Sequence, residues 1–287
     1  MLSSLAGVLF DGFAYGMLLF LLSVGLTVTL GMMNFVNLAH CSFAMVGGYT
    51  TVTLMNQLGW PFLATLPVAF ITAGILSIFL ERTLYRHLYR ASELDQCLLT
   101  IGIVFVSVAA FAWFYSTEQQ SARVPAYLRG SLELMGTSFA AYRLFLIAVG
   151  LAITGILIFS LERTRFGARV RAAVDNQRMA RGLGIDVERT FMLTFALGGG
   201  LAGLGGALAI EVVGLDPTFA LGYLVYVLIV VAVGGLGSIG GSFAAAVVLG
   251  ISDMAGKYYF PWLGAFLIYL VMVALLMWRP LGLFGKR

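Results

Sequence analysis

Charged residues are scarce in this chain. Asp, Glu, Lys and Arg make up only 10% of its 287 residues, whereas about a quarter of the residues in a soluble domain are charged. Apolar stretches of about twenty residues recur along the whole length, which is what a helix needs to cross a bilayer. This composition excludes an ordinary soluble protein and indicates an integral membrane protein with no separate soluble domain.

Cysteine and histidine are also rare, with two residues of each. Cys41 and Cys97 lack the paired spacing of a redox or zinc site, and His40 and His87 lie far apart, so we expect no metal site. The sequence has no phosphate-binding loop of the form Gly, four residues, Gly-Lys-Ser/Thr, and neither HExxH nor GxSxG. We therefore expect no catalytic residues and no cofactor in this chain. Nor does the net charge of +4 indicate nucleic acid, because basic residues beside membrane spans usually set topology.

The apolar stretches predict an all-α, polytopic membrane helix bundle, because a lone segment in lipid can satisfy its backbone only as a helix. The candidate spans are residues 10–30, 43–58, 62–80, 97–115, 144–161, 191–213 and 262–278. A further stretch, 221–255, would measure about 50 Å as one helix, against an apolar thickness of about 30 Å. Its sequence GGLGSIGG predicts a break at residues 234–241. The single transmembrane domain, residues 1–287, then has eight or nine crossings, including broken or short helices.

Arginines set the expected orientation. The arginine-rich segment, residues 162–190, holds seven arginines and is the strongest cytoplasmic signal in the chain. The basic loop two spans earlier then also lies inside, and it contains Arg82, Arg86 and Arg90. Two crossings within 221–255 bring the basic C-terminus to the same side, so we favour them over a re-entrant hairpin beside a single crossing.

Polar side chains within spans are candidates for function, because burying them in hydrocarbon is costly. Asn34, Asn37 and His40 are spaced by three residues and share one face if the segment is helical. They either line a solute path or brace an interrupted helix, and both hypotheses require a break in the helix. Glu211 and Asp253 either couple transport to protons or lie hydrated at the headgroup level.

Small residues are concentrated in the stretch GGGLAGLGGALA, residues 198–209. Small residues four positions apart let helix backbones approach closely in membranes. The stretch therefore predicts a tightly packed helix.

The arginine-rich segment is longer and more regular than a connection between two spans requires. Arg171, Asp175 and Met179 recur at helical spacing, and Gly182 and Gly184 end the run, which predicts a short amphipathic helix. Its charge favours equally a position on anionic lipid headgroups and docking onto a cytoplasmic partner.

Three stretches together resemble one known family. GMMNFVNLAHCSFAMVGGY (residues 31–49), RTRFGARVRAAVDNQRMARGLGID (163–186) and VAVGGLGSIGGSFAAAVVLG with RPLGLFG (231–250 and 279–285) resemble permease subunits of branched-chain amino-acid ABC importers. The chain is similar to the shorter H-type subunit. The resemblance implies an ATP-driven importer for branched-chain amino acids or a related small polar solute, in the bacterial inner membrane.

The resemblance also implies partners. These are a longer homologous M-type permease, two cytoplasmic ATPase subunits that hold ATP and Mg, a periplasmic or extracellular solute-binding protein, and membrane lipid. It places the ATPase contact at six residues of the arginine-rich segment: Ala172, Asp175, Asn176, Ala180, Gly184 and Ile185. The alternative is a secondary transporter or channel that works alone, for which Glu211 or Asp253 would have to couple an ion.

Overall fold

The computed structural model describes residues 2–33, 35–89, 91–122, 125–134 and 137–285. Within these ranges the chain forms eleven α-helices. They are α1 (Leu2–Met33), α2 (His40–Asn56), α3 (Phe62–Thr83), α4 (Glu93–Tyr115), α5 (Ala141–Arg163), α6 (Arg165–Asp175), α7 (Gln177–Gly182), α8 (Val187–Val213), α9 (Phe219–Gly234), α10 (Ile239–Tyr259) and α11 (Gly264–Trp278).

Six of these helices, α1, α3, α4, α5, α8 and α10, are long and apolar enough to cross a membrane. Two shorter apolar helices lie within α9 and α11, and α2 has 17 residues. The all-α polytopic bundle predicted from the apolar stretches is therefore confirmed, including its short and broken helices. The stretch 221–255 is two helices, with the break within the predicted glycine-rich sequence.

One small sheet was not predicted. Strands β1 (Ser131–Leu134) and β2 (Thr137–Ala140) pair antiparallel in the connection between α4 and α5. The same connection reaches the α8–α9 turn, where the backbones of Gln120 and Leu215 exchange hydrogen bonds of 2.7 and 3.2 Å. These contacts tie the connection to the end of the bundle opposite the arginine-rich segment.

Helices α1 and α8 form the centre of the bundle and are buried along most of their length. The packing of α8 confirms the prediction made from its small residues. A Cβ on Gly206 would lie 1.9 Å from the Ala44 carbonyl oxygen in α2, and one on Gly199 would lie 2.5 Å from Ser77 in α3. Gly198 lies against Gly25 of α1. Glycines on different sides of α8 thus admit three helices at backbone contact.

The break between α9 and α10 is closed by the C-terminal tail. The amides of Leu283 and Phe284 donate to the carbonyls of Val233 and Gly234 at 2.7 and 3.2 Å, which pairs two of the last carbonyls of α9. The side chain of Ser238 caps α10. The glycine-rich break and the tail, far apart in sequence, form one structural unit.

Candidate functional site

The connection between α1 and α2 is not helical in its described residues, 35–39. Residues 35–37 are irregular, residues 38–39 form a turn, and α2 begins at His40. The break that the sequence predicted is present. The sequence placed Asn37 and His40 on one face only if the segment were helical, and that condition is not met, because residues 38–39 form a turn. His40 lies beside Leu22 of α1. Asn34 lies outside the described residues.

Two side chains of α4 brace this connection. The backbone amide of Val36 donates to Gln96 Oε1 at 3.0 Å, and the amide of Leu38 donates to Thr100 Oγ1 at 3.2 Å. Gln96 Nε2 in turn donates to the Leu88 carbonyl at 3.0 Å. Irregular backbone at membrane depth needs such partners, because lipid offers none.

Sequence reasoning missed Gln96 and Thr100. The signal was present: two polar residues four positions apart, and so on one helical face, near the start of an apolar span. Ser92 and Asp95 form a capping box at that start, which fixes the register of α4. What the sequence could not supply was the identity of the backbone that these side chains contact.

His40 links α2 to α1 by a side-chain hydrogen bond. Its Nε2 lies 3.0 Å from the Leu22 carbonyl oxygen, which can only accept, so Nε2 carries the proton. The ring is buried. A Cβ on Gly25 would lie 2.7 Å from His40 Cε1, so the glycine makes room for the imidazole between α1 and α2.

Asn37 differs from His40 in one respect. The residue is 1% exposed and its backbone carbonyl accepts the His40 amide at 3.3 Å, which starts α2. Its side-chain Oδ1, however, has no hydrogen-bond partner among the described residues. A buried amide oxygen without a partner costs about 1–3 kcal/mol, so such a group in a native protein requires a specific explanation.

The acidic residues lie away from this connection. Glu211 is exposed near the end of α8 and does not meet Asn37 or His40. Asp253 is fully buried, so the hydrated headgroup position we considered for it is wrong. Lys257, one turn later, donates to Asp253 Oδ2 at 2.6 Å and lies over the Tyr15 ring, 5.4 Å from its centroid. Burial is tolerated here because the charge is paired.

The arginine-rich segment forms two helices rather than the single predicted one. Asn176 is extended (φ −151°, ψ 96°), which separates α6 from α7, and its side chain accepts the Met179 amide at 3.0 Å to cap α7. Asparagine is among the best N-cap residues. Gly184 has φ +79° and lies in the turn between α7 and α8. The sequence predicted the end of the helix here from this glycine.

The inner face of this segment packs on the bundle. Ala173 and Ala180 form a buried cluster with Val187 and Phe191, against which Tyr89 packs. The Tyr89 hydroxyl donates to Glu81 Oε1 at 2.7 Å. Burial and this bond raise the pKa of Tyr89 far above its usual value, so the hydroxyl stays a donor. The segment is thereby packed against α8 and, through Tyr89, lies next to α3.

The outer face is exposed and partly apolar. Asp175, Asn176 and Gly184 lie at the surface, and between them Met179 is 67% and Leu183 79% exposed. Of the other residues that the resemblance placed at the partner contact, Ala172 and Ile185 are partly exposed and Ala180 is buried within the chain. Exposed apolar side chains grouped in this way are typical of a docking surface.

The known proteins that this chain resembles are membrane permeases. Residues 8–276 match the family model described as the permease component of branched-chain amino acid transport systems. A probable branched-chain amino acid transport permease protein LivH from Methanocaldococcus jannaschii is 32% identical, over 94% of this chain and 90% of that protein. The permease protein BraD of a high-affinity branched-chain amino acid transport system in Pseudomonas aeruginosa is 25% identical, over 97% of this chain and 95% of that protein.

The chain is also similar to a second, longer kind of permease. The high-affinity branched-chain amino acid transport system permease protein LivM of Escherichia coli is 24% identical, over 93% of this chain but 68% of that protein. No solved structure matches the chain significantly. The match in length and extent is therefore to the shorter, LivH kind.

Proposed function

Because the chain belongs to the family of branched-chain amino acid transport system permease components, we propose that it is the H-type transmembrane subunit of an ATP-driven importer. Its solute is a branched-chain amino acid or a related small polar molecule. As a permease it forms part of the membrane path and carries out no chemistry itself. ATP and Mg are bound and used in partner chains.

The assembly that we propose contains four kinds of subunit. This chain pairs with a longer, LivM-like permease, and the similarity to both kinds of relative supports such a pair. Two ATPase subunits lie on the cytoplasmic side, and a solute-binding protein delivers solute from outside. The multi-pass bundle resides in the bacterial inner membrane, with the arginine-rich segment facing the cytoplasm.

The observation that carries the proposal is the two-sided arginine-rich segment. Its outer face exposes Met179 and Leu183, which follow the helix break at Asn176. These apolar side chains are suited to contact an ATPase subunit. Its inner face is fixed to Phe191 and Tyr89. A displacement imposed from outside is therefore passed to α8 and α3 rather than absorbed in a loose loop.

We place the solute path beside the α1–α2 connection. Asn34, Asn37 and His40 mark the break, and interrupted helices near mid-membrane are where transporters place their sites. Asn37 Oδ1, which is buried and has no hydrogen-bond partner among the residues that the structure describes, supports a role for Asn37 towards solute. The bond from His40 to Leu22 supports a bracing role for His40. Glu211, exposed at the end of α8, is proposed only as a residue of the outer mouth.

Leu183→Glu tests the coupling contact, with Leu58→Glu as its control. Both leucines are exposed, at 79% and 62%, and Leu58 lies in the α2–α3 connection. In membranes that contain the whole transport system, we expect Leu183→Glu to abolish ATP-dependent uptake and release the ATPase subunits, while Leu58→Glu leaves both intact. Uptake that survives Leu183→Glu with the ATPase still bound would contradict the proposal, as would ATP hydrolysis by the purified chain alone.

A further inference from the structure

Helices α3 and α8 border two hollows along one seam. The first, at the end of the bundle that carries the arginine-rich segment, has a volume of about 930 Å³ and is walled by the end of α3, the turn after it, α7 and the start of α8. The second, of about 280 Å³, is an apolar groove between Phe70 and Ile78 of α3 and Ala196 and Leu197 of α8. Together they extend from the arginine-rich side into the membrane-spanning part of the bundle.

The first hollow, called the basic hollow from here on, is lined by more arginines than carboxylates. Its four arginines are Arg82, Arg86, Arg181 and Arg189. Of these four, only Arg181 has a carboxylate of a described residue within 4.0 Å, that of Glu188 at 3.9 Å. Arg82 donates through Nε to the Met192 sulfur at 3.2 Å, and a thioether is a weak acceptor. These guanidinium groups are suited to an additional anion.

Two of the three acidic residues of the hollow are already engaged. Glu81 accepts the Tyr89 hydroxyl at 2.7 Å, and Asp186 Oδ1 accepts the Arg189 amide at 2.9 Å as the cap of α8. The third, Glu188, has an 83% exposed side chain and lies 3.9 Å from Arg181. Arg82, Arg86 and Arg189 therefore remain as the cationic groups available to a ligand.

The groove begins one helical turn from the arginines. Ile78 precedes Arg82 by four residues on α3, and Ala196 follows Met192 by four on α8, a rise of about 6 Å in each helix. The groove continues past Gly74, where a Cβ would lie 3.2 Å from the Ala196 carbonyl oxygen, and beside Ile75, which is 61% exposed. An apolar channel that opens to the lipid phase and ends in arginines has the shape and polarity of one phospholipid.

We propose that the α3–α8 seam binds an anionic phospholipid of the cytoplasmic leaflet, with its phosphate at Arg82, Arg86 and Arg189 and an acyl chain along Gly74 and Ala196. Charge complementarity selects the anionic headgroup, and the apolar groove selects a lipid over a free phosphate. Arg181 of α7 shares the hollow, so the bound lipid also steadies the arginine-rich segment against the bundle. The inference does not depend on which solute is transported.

Native mass spectrometry of the full-length chain in detergent tests the site. Phosphatidylglycerol and phosphatidylcholine with identical acyl chains are offered in equal amounts. We expect retention of phosphatidylglycerol, and loss of each arginine to weaken it about fivefold, so that Arg82→Gln with Arg86→Gln lowers it more than tenfold. The matched control is Arg165→Gln with Arg169→Gln, two exposed arginines of α6 outside the hollow.

Further measurements separate the headgroup from the acyl chain. Ala196→Phe fills the groove without changing charge, and we expect it also to lower retention of phosphatidylglycerol. Glycerol 3-phosphate in the same concentration range should not displace the lipid. Equal retention of the two lipids, equal losses in both double variants, or displacement by glycerol 3-phosphate would each overturn the proposal. The wild-type lipid comparison stands even if a variant misfolds.

Discussion

Replacing Gln96 by alanine should open the α1–α2 connection. The substitution removes the acceptor of the Val36 amide and the donor to the Leu88 carbonyl, both at 3.0 Å. An unsatisfied buried group costs about 1–3 kcal/mol. The partly exposed Leu88 carbonyl can turn to water, so we assign about 2 kcal/mol to the Val36 amide alone. Opening of the connection should then become about 30-fold more frequent.

The chain has its own probe of this opening. Cys41 follows the connection directly and is 1% exposed, so it reacts with a small maleimide only when the connection opens. The measurement uses a Cys97→Ser background, in which Cys41 is the single thiol. The control is Gln57→Ala, which changes an exposed side chain at the other end of α2.

We expect the labelling rate of Cys41 to rise about 30-fold in Gln96→Ala and to stay unchanged in Gln57→Ala. Thr100→Val, which removes the acceptor of one amide at 3.2 Å, should give a smaller rise. If Gln96→Ala left both the Cys41 labelling rate and the melting temperature of the chain unchanged, the bracing role would be refuted.

Gly47→Ala places a Cβ 2.0 Å from a backbone oxygen of α8 and should destabilise the chain by about 1–3 kcal/mol; Gly102→Ala, in open space, should stabilise α4 by up to about 1 kcal/mol. Thermal unfolding in detergent checks both, and shifts of the same sign would contradict the packing. Lys257→Gln should cost about 3–5 kcal/mol by leaving the buried Asp253 unpaired. Asp253→Asn should cost less, because the Lys257 side chain is 52% exposed, and the double variant should recover stability; additive losses in the same melts would contradict the pairing. Glu211→Gln should leave uptake within about twofold of wild type, whereas loss of uptake would favour a carrier that works alone.

The sequence predicted well the features that depend on one segment. The break between α9 and α10 follows from the low helix propensity of glycine, and the tight packing of α8 follows from residues such as Gly199 and Gly206. Both features follow from the type and spacing of residues within one segment. They do not require knowledge of which other helix lies opposite.

The features that depend on distant partners could not be predicted in this way. The bond from Gln96 to Val36 and the pairing of Leu283 with Val233 join residues far apart in sequence. The second helix of the arginine-rich segment was missed because Asn176 fits a helical pattern by spacing, yet caps a new helix through its side chain. Competition between a side chain and its own backbone is invisible to periodicity.

The central position of α1 has a consequence for biogenesis. This helix leaves the ribosome before its neighbours α8 and α10 have been made, so it must first reside in the membrane without them. Its polar side chains need no partner from another helix during this time, because Ser23, Thr27 and Thr29 each donate to a carbonyl within α1, at 3.1 to 3.3 Å. Thr27 meets Ser242 of α10 at 2.8 Å only once that helix arrives. Helix α1 is therefore suited to remain in lipid on its own before the other helices pack around it.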